Sequence, residues 1–141
     1  MAGVSVDTNI LVYASGLRRV EEDEPKIAAA NSLVAALIRL DQLRISAQVL
    51  AELRHVLVRR SGWDEGVATD HLSKYLALGE CLPTSQTILQ EAFKLAATHR
   101  LQTYDAIILA ATAKGGCDTL YSEDMQHGFE WNGVLVVNPF A

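Results

Sequence analysis

Short apolar runs alternate along this chain with longer stretches in which apolar residues recur every three or four positions. The first run, Gly3-Val4-Ser5-Val6, closes on Asp7 and predicts a strand over residues 4–7, with a short helix over 10–14 behind it. Residues 16–24 read as a polar loop that holds Glu21-Glu22-Asp23-Glu24. Pro25 suits the first turn of a helix, where its missing N–H costs nothing. Ile27, Ala30, Val34, Leu37 and Ile38 then keep helical spacing to about residue 40. The acidic run also suits the positive end of that helix.

Residues 43–46 predict a second strand and residues 48–59 a helix, with Val49, Leu53, Val56 and Leu57 on its apolar side. Ser61-Gly62 ends it. Asp64 can cap the next helix, whose expected inward stripe is Val67, Leu72, Tyr75 and Leu76, and Gly79 stops it. Residues 80–82 are short enough to be a strand or a connector. Ser85 can cap a helix over 86–98 with Ile88, Leu89, Ala92, Phe93 and Ala96 inward, and Thr103 a helix over 104–114 that Gly115-Gly116 terminates. Residues 119–121 and 134–137 read as strands, the last stopped by Asn138-Pro139. Strands alternating with helices predict an α/β chain with a mainly parallel sheet covered on both faces. A length of 141 residues predicts a single domain over 1–141.

Composition narrows the function. Half the residues are hydrophobic, enough for a core without staples. Twelve basic against 17 acidic residues, a net charge of −5, argues against holding nucleic acid by bulk attraction but not against processing it. Cys81 and Cys117 form no CxxC pair and no disulfide framework; they read as buried or half-buried free thiols and fit a reducing cytoplasm. The N-terminal residues have no signal-peptide pattern. No apolar run reaches the roughly 18–20 residues of a membrane span. A cytoplasmic protein is expected.

Four acids stand out: Asp7, Glu52, Asp105 and Asp124. Asp7 and Asp124 follow predicted strands, and open parallel sheets bind ligands beyond strand carboxyl ends. Carboxylates that meet in one cleft repel each other unless protonated or holding a cation. A hard divalent metal is the natural remedy at neutral pH. Each acid also has a plainer reading. Asp7-Thr8-Asn9 can be a helix cap. Glu52, on the apolar side of its helix, can be half of a salt bridge, with Arg54 or a distant basic residue. Asp105 suits the first turn of its helix. Asp124 can belong to a turn, where Ser122 supplies a hydroxyl; Glu123 is expected to face solvent. Without the four acids the balance is 13 acidic against 12 basic, so a loaded site would remove most of the acidity.

The histidines 55, 71, 99 and 127 show no zinc spacing and read as surface or satisfied side chains; His127, close to Asp124, is the one to watch. There is no GxGxxG, Walker loop or GxSxG, so dinucleotide-binding and serine-hydrolase readings have no support.

Taken in order, Val6-Asp7-Thr8-Asn9-Ile10-Leu11, Ser46 through Glu52, Tyr104-Asp105-Ala106-Ile107-Ile108, Leu120 through Met125 and the closing Val137-Asn138-Pro139-Phe140 resemble the PIN-domain family of metal-dependent ribonucleases. The likeness is closest to the VapC-type toxins of toxin–antitoxin pairs and spans essentially the whole chain. It implies a three-layer α/β/α PIN-like domain with a central, mainly parallel sheet. It also implies an endoribonuclease that hydrolyses RNA phosphodiester bonds with Mg²⁺ or Mn²⁺. Asp7, Glu52, Asp105 and Asp124 match the family's acidic site, with Asp7 and Asp105 as direct or water-bridged ligands and Glu52 and Asp124 completing the shell. Thr8 and Ser122 match its hydroxyl positions, and Asn9 stands beside them. Where a further acid often follows the last carboxylate, this chain has Gln126, which thins the shell for a second ion. The resemblance also implies a homodimer and a cognate antitoxin, for which long amphipathic helices and Trp63 and Trp131 are compatible material. RNA would be gripped by some of Arg18, Arg19, Arg54, Arg59, Arg60 and Lys114.

Two other readings compete. A haloacid-dehalogenase-type phosphatase also begins with an Asp after its first strand, but its second Asp, two residues on, is Asn9 here. A non-catalytic PIN-like binding or scaffold module is the second, because a fold does not dictate a function; the presence of all four acids weighs against it.

Overall fold

The computed structural model describes residues 2–18 and 20–141. Its strands are β1 (Gly3–Val6), β2 (Leu43–Ser46), β3 (Glu80–Leu82), β4 (Cys117–Tyr121), β5 (Glu130–Trp131) and β6 (Val134–Val137). Its helices are α1 (Thr8–Ala14), α2 (Glu24–Arg39), α3 (Ala47–His55), α4 (Glu65–Leu78), α5 (Gln86–His99) and α6 (Thr103–Lys114). The strands form one sheet in the order β3-β2-β1-β4-β6-β5. Every pairing is parallel except β5 with β6, which the β-hairpin turn makes antiparallel. Helices flank this sheet, giving the α/β/α arrangement that the alternating pattern predicts.

The order reverses direction at β1. From there the chain goes outward to β2 and β3 on one side and returns to β4 on the other. Such a switch point leaves a crevice beyond the strand carboxyl ends, because the crossovers of the two halves diverge. β1 and β4 lie side by side with Val6 opposite Tyr121, and the Asp7 N–H continues the ladder by donating to the Tyr121 carbonyl at 2.9 Å. The residues after these two strands therefore emerge at the same level.

Helix α6 reaches that crevice from beneath. Its residues Ala106 through Thr112 are all buried, so it is apolar around its whole circumference, as a helix enclosed on all sides must be. It packs against α5, α3 and strands β2, β4 and β6. Helix α3 is held by its cap: the buried Ser46 hydroxyl accepts from the Val49 N–H at 3.3 Å. Past His55 the helix widens into one π turn, Val56–Arg60, in which the Ser61 N–H reaches back five residues to the Val56 carbonyl at 3.0 Å. Gly62, at φ +69°, takes the left-handed turn out of it.

Several expectations need correction. Val67 and Leu76 of α4 and Phe93 of α5 are more than half exposed, while Ala68 and Leu95 are buried instead; Tyr75 is buried as the spacing predicts. Spacing identifies a helix but leaves its rotation about its axis open by a residue. Thr103 begins α6 without capping it; Gln102 takes the cap position with no side-chain bond. Cys81 is exposed, since β3 is an edge strand; Cys117 is buried. Trp63 and Trp131 are partly buried against the core rather than exposed. Residues 130–131 form a two-residue strand that the pattern did not predict.

Replacing Ser46 by Ala leaves the buried Val49 N–H without its acceptor. The expected loss is about 1–2 kcal/mol of stability in urea denaturation. A loss below a few tenths would show that the cap contributes nothing to holding α3.

Candidate active site

Asp7 leaves β1 and caps α1. Its Oδ1 accepts from the Thr8 N–H at 2.7 Å, while Oδ2 accepts from the Ser122 hydroxyl at 2.8 Å. Ser122 leaves β4, is fully buried, and accepts in turn from the Met125 N–H at 3.1 Å. One oxygen of Asp7 thus makes the helix cap, and the other is tied to the end of β4. The Thr8 hydroxyl, buried beside it, donates to Glu52, and Gln48 Nε2 donates to the other Glu52 oxygen at 3.0 Å. Asn9 Nδ2 donates to Asp124 at 2.8 Å. Asp105 projects from the first turn of α6.

All four carboxylates line one open cleft of about 310 Å³, with Thr8 and Asn9 between them. Their orienting partners are neutral donors. Among the described residues none of the four has a basic partner: Arg54 pairs with Glu65 at 2.9 Å, so the salt bridge considered for Glu52 is not made. The electrostatic consequence is visible. Burial pushes the Asp7 carboxyl up to about 6, against the Ser122 and Thr8 hydrogen bonds, and the charges of Asp105 and Glu52 add to the rise. Asp105 is raised by burial and then by Asp124 and Glu52. Such a cluster gains from a cation or a proton.

The donor set fits a hard divalent ion: four carboxylates, whose oxygens keep lone pairs beyond the hydrogen bonds they accept, with hydroxyls beside them. Among the described residues no three His, Cys, Asp or Glu side chains close around one point as a ready-made cage. An ion here would draw the carboxylates inward or reach some of them through water.

The remaining wall of the cleft is His55, Val56 and Arg60. The sequence reads His55 as a surface or satisfied histidine; the packing of α3 against α1, α6 and β2 brings it to this wall. His127 instead accepts from the Asn138 N–H at 2.9 Å and holds the C-terminal turn. Of the other basic candidates, Arg18 pairs with Glu24 at 3.3 Å and Glu21 at 3.8 Å, and Lys114 lines a cavity with Trp131 and Glu91. Neither these nor Arg54 and Arg59 line the carboxylate cleft, and Arg19 lies outside the described residues. Glu123 does not face solvent. Its largely buried carboxylate pairs with Lys26 at 3.4 Å and accepts from the Tyr13 hydroxyl at 3.1 Å, tying the loop that carries Asp124 to α1 and α2.

The family model of the PIN domain matches residues 4–128, a span that contains all four acids. The chain belongs to the PIN domain family. Among solved structures, a toxin–antitoxin complex from Klebsiella pneumoniae is similar at 24% identity and a TM-score of 0.70, over 97% of this chain and 98% of that one. VapC20 of Mycobacterium tuberculosis, a sarcin–ricin-loop-cleaving toxin, is similar at 20% identity and a TM-score of 0.66, over 86% and 90%. VapBC2 from Rickettsia felis, bound to a DNA fragment from its promoter, is similar at 17% identity and 0.67, over 94% and 96%. At these identities the likeness establishes a shared PIN fold. Curated protein sequences yield no match.

The pH behaviour of this PIN domain follows from Asp7. Its folded pKa of about 6 lies above the ordinary 3.8, so the folded state takes up the proton more readily than the unfolded chain. The associated stability is full below about pH 4 and is lost as pH rises through about 6. In chelator, the stability of the unsubstituted protein relative to Asp7→Asn should therefore fall by about 2.4 kcal/mol between pH 4 and pH 7. Urea denaturation of the pair at several pH values measures this; a difference independent of pH contradicts it.

Proposed function

We propose that this chain is a Mg²⁺- or Mn²⁺-dependent endoribonuclease, hydrolysing RNA phosphodiester bonds as the toxin of a toxin–antitoxin pair. The observation that carries the reading is the cleft: four carboxylates, three of them (Asp7, Glu52, Asp124) oriented by neutral donors, with no basic partner among the described residues. A structural ion-pair network would have arginines or lysines inside it. Here the arginine in the cleft wall, Arg60, pairs with none of the four acids among the described residues, which leaves their charge to be met from solution.

The chemistry assigns each residue a task. Asp7 and Asp105, whose carboxyls are raised by burial and by each other's neighbours, are the ligands that gain most from a cation. Ser122 and the Thr8 N–H hold Asp7 in one orientation, which removes the side-chain freedom that would otherwise be lost on binding. The Thr8 hydroxyl and Gln48 do the same for Glu52, and Asn9 for Asp124. When bound, a divalent ion supplies charge relief on the phosphoryl oxygens and a water activated for attack. The carboxylates of Glu52 and Asp124 complete the acidic wall and orient that water.

The toxin reading rests on the family and on the three structural neighbours, whose own descriptions are a toxin, a toxin–antitoxin complex and a VapBC assembly on promoter DNA. With it come a cognate antitoxin as partner, a homodimer, a cytoplasmic location and one domain over residues 1–141. No helix among the described residues is long and apolar enough to cross a membrane.

Two outcomes follow. Saturating Mg²⁺ or Mn²⁺ should raise the melting temperature, by the equivalent of about 2.7 kcal/mol at a hundred times the dissociation constant. Asp105→Asn should blunt that rise; an unchanged melting curve for the unsubstituted protein would exclude a native metal site. In the second, Glu52→Gln keeps the shape and the Thr8 contact but removes a charge. Metal-dependent cleavage across a panel of RNAs should fall at least ~10²-fold, about 2.7 kcal/mol of transition-state stabilisation, while the fold survives. Cleavage unaffected by Glu52→Gln removes Glu52 from the catalytic set; no cleavage by the unsubstituted protein points to the scaffold reading instead.

A further inference from the structure

Two irregularities of the backbone lie on opposite sides of the carboxylates, and each carries an arginine. The first is the π turn of Val56–Arg60. An α-helix has about 3.6 residues per turn, so two regular turns past Glu52 would bring the seventh residue, Arg59, onto its face. A π turn closes on the fifth residue rather than the fourth and adds one position. The residue that arrives above Glu52 is then the eighth, Arg60. In accord with this count, Arg60 lines the carboxylate cleft and Arg59 does not.

The second irregularity is Arg100, the C-terminal cap of α5, at φ +55° and ψ +40°. Helices commonly end in this left-handed conformation, but glycine normally supplies it because any Cβ is strained there. Asp41 and Asn132, the other non-glycine residues of positive φ among those described, belong to types that tolerate it. Arg100 does not. It lines a second cavity of about 320 Å³, together with Gln102 and Gln126, that shares Asp105 and Asp124 with the first. The two cavities meet at Asp105 and Asp124, with Arg60 in the wall of one and Arg100 in the wall of the other.

Neither guanidinium makes an ion pair or hydrogen bond among the described residues, although each shares a cavity with carboxylates. A guanidinium is always charged, and its planar donors match phosphate oxygens. We propose that Arg60 and Arg100 grip the substrate's backbone phosphates on either side of the carboxylates, so that the scissile phosphate is bracketed. This rests on the ribonuclease reading and extends it by naming two contacts among the many basic residues. The backbone strain at Arg100 is then the cost of holding a cation in the wall of that cavity.

The test uses a short fluorescein-labelled single-stranded RNA, titrated with the full chain in chelator and followed by anisotropy across a salt series. Cleavage by the unsubstituted protein in Mg²⁺ or Mn²⁺ is assayed in parallel. Arg60→Ala and Arg100→Gly should each weaken binding about 10-fold. Each should also lower the slope of log affinity against log salt by about 0.7, the signature of one lost phosphate contact on a single strand. Glycine suits the backbone at position 100, so a loss there cannot come from a disrupted helix end. Arg59→Ala should cost at most about twofold. RNA cleavage by the unsubstituted protein, with affinity and slope unchanged in both variants or with no measurable binding, overturns the bracket and leaves the ribonuclease reading standing. A loss in Arg59→Ala equal to that in Arg60→Ala overturns the register argument. Absence of cleavage by the unsubstituted protein overturns both readings.

Discussion

The hydrogen bond from the Ser122 hydroxyl to Asp7 joins the ends of β1 and β4, the two adjacent strands at which the sheet changes direction. The bond is possible because parallel pairing places Val6 opposite Tyr121, so the residues that follow emerge at one height. From it the rest of the cleft is suspended. Thr8, next to Asp7, reaches Glu52 on α3; Asn9 reaches Asp124, two residues beyond Ser122. Three contacts, two of them spanning 115 residues of chain and one 44, thus join three of the acids to the ends of β1 and β4. Removing the sheet order would leave each acid as an ordinary cap or turn residue.

That surface accumulates negative charge without internal compensation, against the usual rule that buried ionised groups are paired. The fold answers with neutral donors. A hydroxyl or amide bond fixes the direction of a carboxylate without cancelling its charge, whereas an arginine would do both. The result is a set of groups whose geometry is set and whose electrostatic demand is not met. Asp7 shows the strain most, because burial acts on it more strongly than its two hydrogen bonds can offset. Elsewhere the molecule follows the ordinary rule: Glu123 is paired with Lys26, and Arg54 with Glu65. The contrast between the paired acids and the four unpaired ones separates structure from site.

The backbone departs from regular geometry beside the site as well. A π turn in the helix that carries Glu52 and a left-handed arginine before the helix that carries Asp105 both alter which side chains face the two cavities. Regular elements repeat every 3.6 residues and can present only what that period allows. An added residue changes the register beyond it without disturbing the packed turn before it.

The alternating pattern determined the α/β class and the position of nearly every element, because a sheet covered on both faces imposes short continuous apolar runs on its strands and period 3.6 on the helices that cover it. The four acids could be singled out for the same reason. A carboxylate at a strand end or on an apolar helix face conflicts with its surroundings, and such conflicts can be read locally. What could not be read was anything set by rotation or by distant partners. Phe93 and Val67 sit on helical spacing yet face water, because spacing leaves the rotation of a helix undetermined within about 100° per residue. Glu123 looks solvated in sequence, but Lys26 on another element takes it inward. The choice of Arg60 over its neighbour Arg59 depends on one π-turn hydrogen bond, and the place of His55 on how α3 packs against α1, α6 and β2. Sequence determines which groups have unmet physical needs; the tertiary structure decides which of them meet, because that depends on strand order and helix rotation, which no local pattern encodes.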